Sequence, residues 1–240
     1  MIVIDESWTL AEVVEARPDL ARELERRKLD YCCGGRRTVG DACALIGLDG
    51  QRVAAELTAL APAGPPAEWS TMTAAELADH LERTHHRYLW DELPRISALL
   101  ERIVAAHGAR HPELSVIAAR FAEVRADLEP HMTKEERVLF PMIRELVASS
   151  ELPSFHCGTL RKPISVMLAE HDRVGELLAE LRHLTDDHTP PADGCASYRA
   201  CFAALAELEA DTHLHIHKEN NVLFPAVVRL EAERASAVGP

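Results

Sequence analysis

An eleven-residue stretch written twice constrains this chain more than any other feature of it. Residues 131–141 read HMTKEERVLFP and residues 215–225 read HIHKENNVLFP, an offset of 84 residues. In both copies a His precedes a Glu by four positions, Lys stands just before that Glu, and Val-Leu-Phe-Pro follows. On an α-helix a spacing of four brings both side chains to one face about a turn apart. Each copy therefore presents one imidazole and one carboxylate in the same direction. A single such pair is an ordinary surface motif. The joint recurrence of ligand types, spacing and apolar run points to metal, because packing alone supplies no reason to keep His and Glu, which are costly to bury unpaired.

The 240 residues suffice for one large domain, or a large and a small one, with a full core and no disulfides. A net charge of −13 and the lack of any Lys/Arg-rich run argue against nucleic acid as a partner. No apolar stretch is long enough for a membrane span, and the first residues, MIVIDESWTL, carry acids where a secretory signal needs a basic start. A soluble, cytoplasmic protein is expected. The six Cys (32, 33, 43, 157, 195 and 201) form no zinc-ribbon pattern, and a cytosolic setting would keep them reduced. Aromatic residues are only 5%, which favours helices over sheets.

Residues 1–60 read as a small helical domain. Thr9 can cap LAEVVEA, Pro18 can open DLARELERR, and TVGDACALIG and DGQRVAAELTAL give two further short helices. Between the second and third of these lies DYCCGG (residues 30–35), a tight turn that would display the Cys32 and Cys33 thiols; redox exchange, transient metal capture and a merely structural Cys all remain open. Residues 61–72, rich in Pro, read as a linker. From 73 onward, where Thr73 and Glu76 form a capping box, four long helical patterns run over about 74–106, 112–147, 160–185 and 197–232. They imply an all-α, up-down-up-down four-helix bundle. Pro141 and Pro225 should kink the second and fourth of its helices.

Two His and two Glu cannot complete a binuclear site, so the first and third helices should contribute. His171 sits on an apolar face with Ile164, Met167, Leu168, Val174 and Leu178, 44 residues before His215. His86 lies 45 residues before His131, and its downstream register (Leu89, Leu93, Ile96) matches that of His171 (Val174, Leu178, Leu181); His85 would instead align Tyr88, Glu92 and Arg95. The candidate ligands are His86, His131, Glu135, His171, His215 and Glu219. Four imidazoles, two carboxylates and no thiolate suit iron or manganese better than a structural zinc. If both Glu bridge, they would hold two ions about 3.5–4 Å apart with room for an oxo or hydroxo bridge. Glu136, Glu170 and Asn220, each next to a candidate ligand, can orient the ligands. His80, His213 and His217 lack counterparts in the repeat and are expected to face solvent or lie just outside the ligands.

With DYCCGG, THHRYLWDELP, HMTKEERVLFPMI, PISVMLAEHDRVGELL and HIHKENNVLFP in hand, nearly the whole chain resembles the RIC (repair of iron centres) family, hemerythrin-like di-iron proteins with an N-terminal Cys-Cys domain. The resemblance implies a hemerythrin-like bundle at 73–240 and two non-haem iron ions, oxo- or hydroxo-bridged, on the six residues above. It also implies Glu170 near the entrance of the site, functional roles for Cys32 and Cys33, and a link to nitric oxide and oxidative damage. The chain departs from the family chiefly in a longer loop around Phe155, His156 and Cys157. No fifth His is in register, which argues against reversible oxygen carriage. Three functions follow as expectations: repair of damaged iron–sulfur proteins by supplying iron, reduction of nitric oxide to nitrous oxide, or sensing of oxygen or nitric oxide. The sequence leaves a homodimer open.

Overall fold

The computed structural model describes residues 2–61 and 68–237, and among these it is helical with no strand beyond one isolated bridge between Thr9 and Thr38. Most of the Pro-rich linker reading, residues 62–67, lies outside the described residues. In the N-terminal part, α1 (Leu10–Ala16) starts at a Thr9–Glu12 capping box. A 3₁₀ turn over Pro18–Leu20 leads into α2 (Ala21–Arg26). Thr38 caps α3 (Val39–Leu45) and Asp49 caps α4 (Gly50–Ala59), each side chain accepting from a backbone N–H three residues on.

Four helical rods follow. The first comprises α5 (Ala74–Leu81), opened by the Thr73–Glu76 capping box, a π-helical turn over Glu82–His86, and α6 (Arg87–His107). The second joins α7 (Glu113–Lys134), a π turn over Glu135–Leu139 and α8 (Phe140–Ala148). The third is the uninterrupted α9 (Arg161–Leu184). The fourth joins α10 (Ala196–His217), a π turn over Lys218–Leu223 and α11 (Phe224–Ala237). Rods adjacent in sequence pack on one another and the first packs on the fourth, the closed square of an up-down-up-down bundle.

The prolines act differently from a simple kink. Pro141 and Pro225 fall in the first turn after a π turn, where the missing N–H would otherwise leave a carbonyl one turn back unpaired and the ring would clash with it. The wider π winding absorbs that mismatch before the proline is reached. The π turn at Glu82–His86 has no proline directly after it, and sequence reasoning gave no sign of it.

Two apolar clusters make the core. One combines N-terminal residues such as Val13, Leu24 and Tyr31 with Leu89, Met132, Val174 and Ile216 of the rods. The other holds Leu81, Phe140, Met167 and Phe224 at the far side. The N-terminal helices are thus packed into the bundle's own core. Trp69, expected in the linker, is buried in the second cluster and stands edge-on to His217. Leu168 is 36% exposed and leaves the stripe shared by Ile164, Met167, His171, Val174 and Leu178, because at 3.6 residues per turn it falls at the stripe's edge. Phe155 anchors the long loop in the second cluster, while Glu231 accepts from the Leu160 N–H and the Thr159 hydroxyl.

Candidate metal centre

Between the two apolar clusters lies a polar layer. Every rod contributes to it: His86 ends one π turn, Glu135 opens another, Glu219 sits in the third, His131 and His215 lie in the helical turns just before, and His171 lies at the middle of α9. All six side chains are at most 1% exposed, and both Glu are fully buried. Their ligand atoms form two overlapping groups, His86–Glu135–His215–Glu219 and His131–Glu135–His171–Glu219, each with all atoms within 4.8 Å of one another. Both carboxylates belong to both groups.

The contacts are those of ligands converging on cations. The Nε2 atoms of His131 and His171 lie 3.1 Å apart and those of His86 and His215 3.3 Å apart. Glu135 Oε2 is 3.2 Å from His131 Nε2 and 3.4 Å from His86 Nε2; Glu219 offers one oxygen to His171 and the other to His215, both at 3.1 Å. Beyond these imidazoles, no donor reaches any oxygen of either Glu. Two buried carboxylates with only imidazoles beside them are costly unless cations or protons compensate their charge. The ring charges respond in the same sense. Burial opposes protonation of His86, but Glu135 and Glu136 outweigh it and raise that ring to about 9; His131 rises to about 10 under Glu135 and Glu170. The carboxylates attract protons into the positions cations would fill, and the nitrogen-and-oxygen donor set fits iron.

Outside the ligands, three imidazoles are oriented through their other ring nitrogen, leaving Nε2 facing the centre. His86 Nδ1 donates to Glu136 (3.0 Å), His131 Nδ1 to Glu170 (2.9 Å) and His171 Nδ1 to Asn220 (2.7 Å). The hydrogen bond from His131, opposed by burial and helped by Lys134, pulls the Glu170 carboxyl down to about 2. Glu170 is half-buried, on the solvent side of His131. The duplication reaches this shell. Lys134, before Glu135, pairs with Glu170, before His171; Lys218, before Glu219, donates to His85, before His86, at 2.7 Å. There the symmetry breaks: His85 stacks on His215 at 5.4 Å and bonds Asp211, so His215 Nδ1 has no partner among the described residues.

His85 thus lies outside the converging atoms, as the register argument required. His80 is half-buried beside Lys218, and His213 is half-buried against Glu25. Of the two places expected for His217, facing solvent or just outside the ligands, the first is excluded: it is fully buried, with Nδ1 3.2 Å from the Tyr31 carbonyl, and burial lowers its ring to about 4. Trp90, which donates to Glu136 at 2.9 Å, was missed; its only signal was its place four residues after His86.

The DYCCGG turn also differs from expectation. Cys32 faces inward and is 5% exposed; only Cys33 is half-buried toward a cleft. The hydrogen-bonded Cys33 thiol, burial and Asp30 together push the Cys32 thiol well above its usual range, so without a cation beside it Cys32 stays protonated. Both glycines are required by close approach: a Cβ at Gly34 would stand 2.8 Å from the Asp30 carbonyl, and one at Gly35 2.5 Å from that of Tyr31 and 2.7 Å from Asn221.

A four-helix bundle with buried, paired His and Glu motifs is the architecture of a hemerythrin-type cation-binding protein. Residues 77–227 match the hemerythrin HHE cation binding domain, and residues 6–61 match a domain of unknown function, DUF542. The chain is 35% identical to the iron-sulfur cluster repair protein YtfE of Enterobacter sp. and 33% identical to those of Citrobacter koseri and Escherichia coli. Each alignment spans 216 residues, 90% of this chain and 94% of the relative. The chain belongs to the RIC family.

Proposed function

We propose that this protein holds two iron ions in the polar layer, joined by Glu135, Glu219 and an oxo or hydroxo bridge, and that it restores iron–sulfur clusters damaged by nitrosative or oxidative stress by supplying iron. His86 and His215 would hold one ion and His131 and His171 the other, while Glu136, Glu170 and Asn220 aim the imidazoles. The carrying observation is that two His pairs share the same two fully buried carboxylates, whose oxygens meet no donor besides those imidazoles. The bound iron would supply both the cargo and a redox-active centre that nitric oxide or oxygen can reach. The repair task is supported by the relatives' names, and the clients are then damaged iron–sulfur proteins. A cytoplasmic setting agrees with the lack, among the described residues, of any helix long and apolar enough to cross a membrane. The test is reactivation of an apo-cluster enzyme by the iron-loaded protein; a gain no greater than that from free ferrous iron overturns the reading.

The shared carboxylates also support a second reading, reduction of nitric oxide to nitrous oxide, because two adjacent cations can hold two nitric oxide molecules side by side. Anaerobic incubation of the reduced protein with nitric oxide should then release nitrous oxide into the headspace, and its absence excludes this activity.

A further inference from the structure

A second cluster of metal-binding side chains lies apart from the polar layer. Asp30, Cys32 and Cys33 bring one ligand atom each to within 4.8 Å of the others. The two Sγ atoms are 3.9 Å apart, and Cys32 Sγ is 3.2 Å from Asp30 Oδ1. Two thiolates on one tetrahedral ion, with metal–sulfur bonds of about 2.3 Å, are separated by about 3.8 Å. The pair already stands at that spacing. The turn is also held rigidly: Asp30 accepts from the N–H groups of Cys32 (3.1 Å), Cys33 (2.9 Å) and Gly34 (2.8 Å).

The surroundings favour a cation. The turn opens on a cleft of about 680 Å³ between the N-terminal helices and α9, in whose lining the carboxylates of Asp172, Glu176, Asp186 and Asp187 outnumber the cations Lys28 and Arg182. Carboxylates gathered in a concave surface raise the local concentration of cations. Gly175, inside α9, faces the thiols: a Cβ there would stand in ordinary van der Waals contact with Cys33 Sγ, at 3.7 Å. The turn is also linked to the polar layer by one side chain. Asn220 accepts from His171 Nδ1 at 2.7 Å and donates to the Cys32 carbonyl at 3.5 Å, which also accepts from Asn221 at 3.1 Å.

We propose that Asp30, Cys32 and Cys33 form a separate mononuclear site for a thiophilic divalent cation, occupied by ferrous iron as cargo between the polar layer and a client. On binding, each thiol releases its proton to solvent as a sulfur–metal bond forms, Asp30 supplies a third ligand, and the fourth position faces the cleft. The metal keeps its oxidation state, so no oxidant or reductant is consumed. Only the identity of the cargo rests on the repair function proposed above.

The site is tested by anaerobic titration of the iron-loaded, full-length protein with cobalt(II). A thiolate-to-cobalt charge-transfer band that saturates at one added equivalent is expected. The band should be lost in Cys32→Ser and in Cys33→Ser, with the iron content of both variants retained. Cys33 is the safer position to alter, being half-buried, so that variant guards against misfolding. Absence of the band overturns the proposal. So does a band that persists in both variants, which would place cobalt on another thiol such as Cys157 or Cys195. A band together with failed reactivation of the apo-cluster enzyme upholds the site and removes its cargo, so the two readings fail separately.

Discussion

Glu135 and Glu219 bring four carboxylate oxygens, met by no donor other than the imidazoles, into the least accessible part of the molecule. Their burial is reasonable only if cations lie between the six ligands, and the two Glu should therefore be indispensable to metal retention. Glu219→Gln is expected to lower bound iron from the proposed two ions per chain to one or none, measured by metal analysis of the purified protein; full occupancy would remove Glu219 from the centre. The orienting residues should act more gently. Asn220→Ala frees the His171 ring, and such losses typically weaken metal affinity roughly 10–100-fold. Competition with a chelator would measure the change, and an affinity equal to the wild type would mean that packing alone fixes His171.

At the scale of elements, the Val-Leu-Phe-Pro run following each His–Glu pair explains why the repeat extends beyond its ligands. Phe140 stacks on His86 at 5.5 Å, Phe224 stacks on His171 at 6.1 Å, and each Pro follows a π turn that holds a Glu. The second rod thus braces the imidazole of the first, and the fourth rod that of the third. Phe140→Ala should destabilise the fold by about 3–5 kcal/mol, as large-to-small changes of buried aromatics do, read from denaturant unfolding of the metal-free protein. A cost below about 1 kcal/mol would mean that the site collapses around the missing ring.

The connection after α9 rests on a different device. Asp186, Asp187 and His188 are consecutive non-glycine residues at positive φ (50°, 52° and 59°), a conformation that Asp and His tolerate better than most. Buried Glu209 holds them in place, accepting from His188 at 2.8 Å and from Arg182 at 2.6 Å. Burial works against the Glu209 charge, but His188 and Arg182 outweigh it and leave its pKa below 4.5. A depressed folded-state pKa contributes stability that is fully present above the unfolded value and lost as pH falls through the folded one. Wild type should therefore lose melting temperature below about pH 4.5. Glu209→Gln should be less stable at neutral pH by about 3 kcal/mol and show a shallower acid loss; parallel profiles would show that Glu209 does not contribute.

Across the whole molecule, the N-terminal helices and the rods share one apolar cluster, and the DYCCGG turn makes polar contacts between them beside the His213–Glu25 pair. The Tyr31 and Cys32 carbonyls accept from Asn221, Tyr31 stands edge-on to His217, and Gly35 lets the backbone approach Asn221. Gly35→Ala should separate the turn from the fourth rod without touching a ligand. Faster protease cleavage near residue 35, with iron content unchanged, is the expected result, and an unchanged digestion pattern would show that the contact is dispensable.

Helix boundaries and the candidate ligand set were legible in the chain itself. Caps such as Thr9, Thr38, Asp49 and Thr73 act within one helical turn, and the His–Glu spacing and apolar register depend only on helical periodicity, which is local. His86 could be preferred to His85 for the same reason: one residue rotates a side chain off the face. The inward turn of Cys32, the burial of Trp69, Lys218 and His217, and the π turn at Glu82–His86 depended instead on what distant elements present to them. His217 and Lys218 look like surface residues in the fourth rod until Tyr31, Trp69, His80 and His85 close over them. Sequence periodicity thus determined which side chains face inward within each rod, and only tertiary packing decided what they meet there, because the free energy of a buried polar group is set by the partner that arrives from elsewhere in the chain.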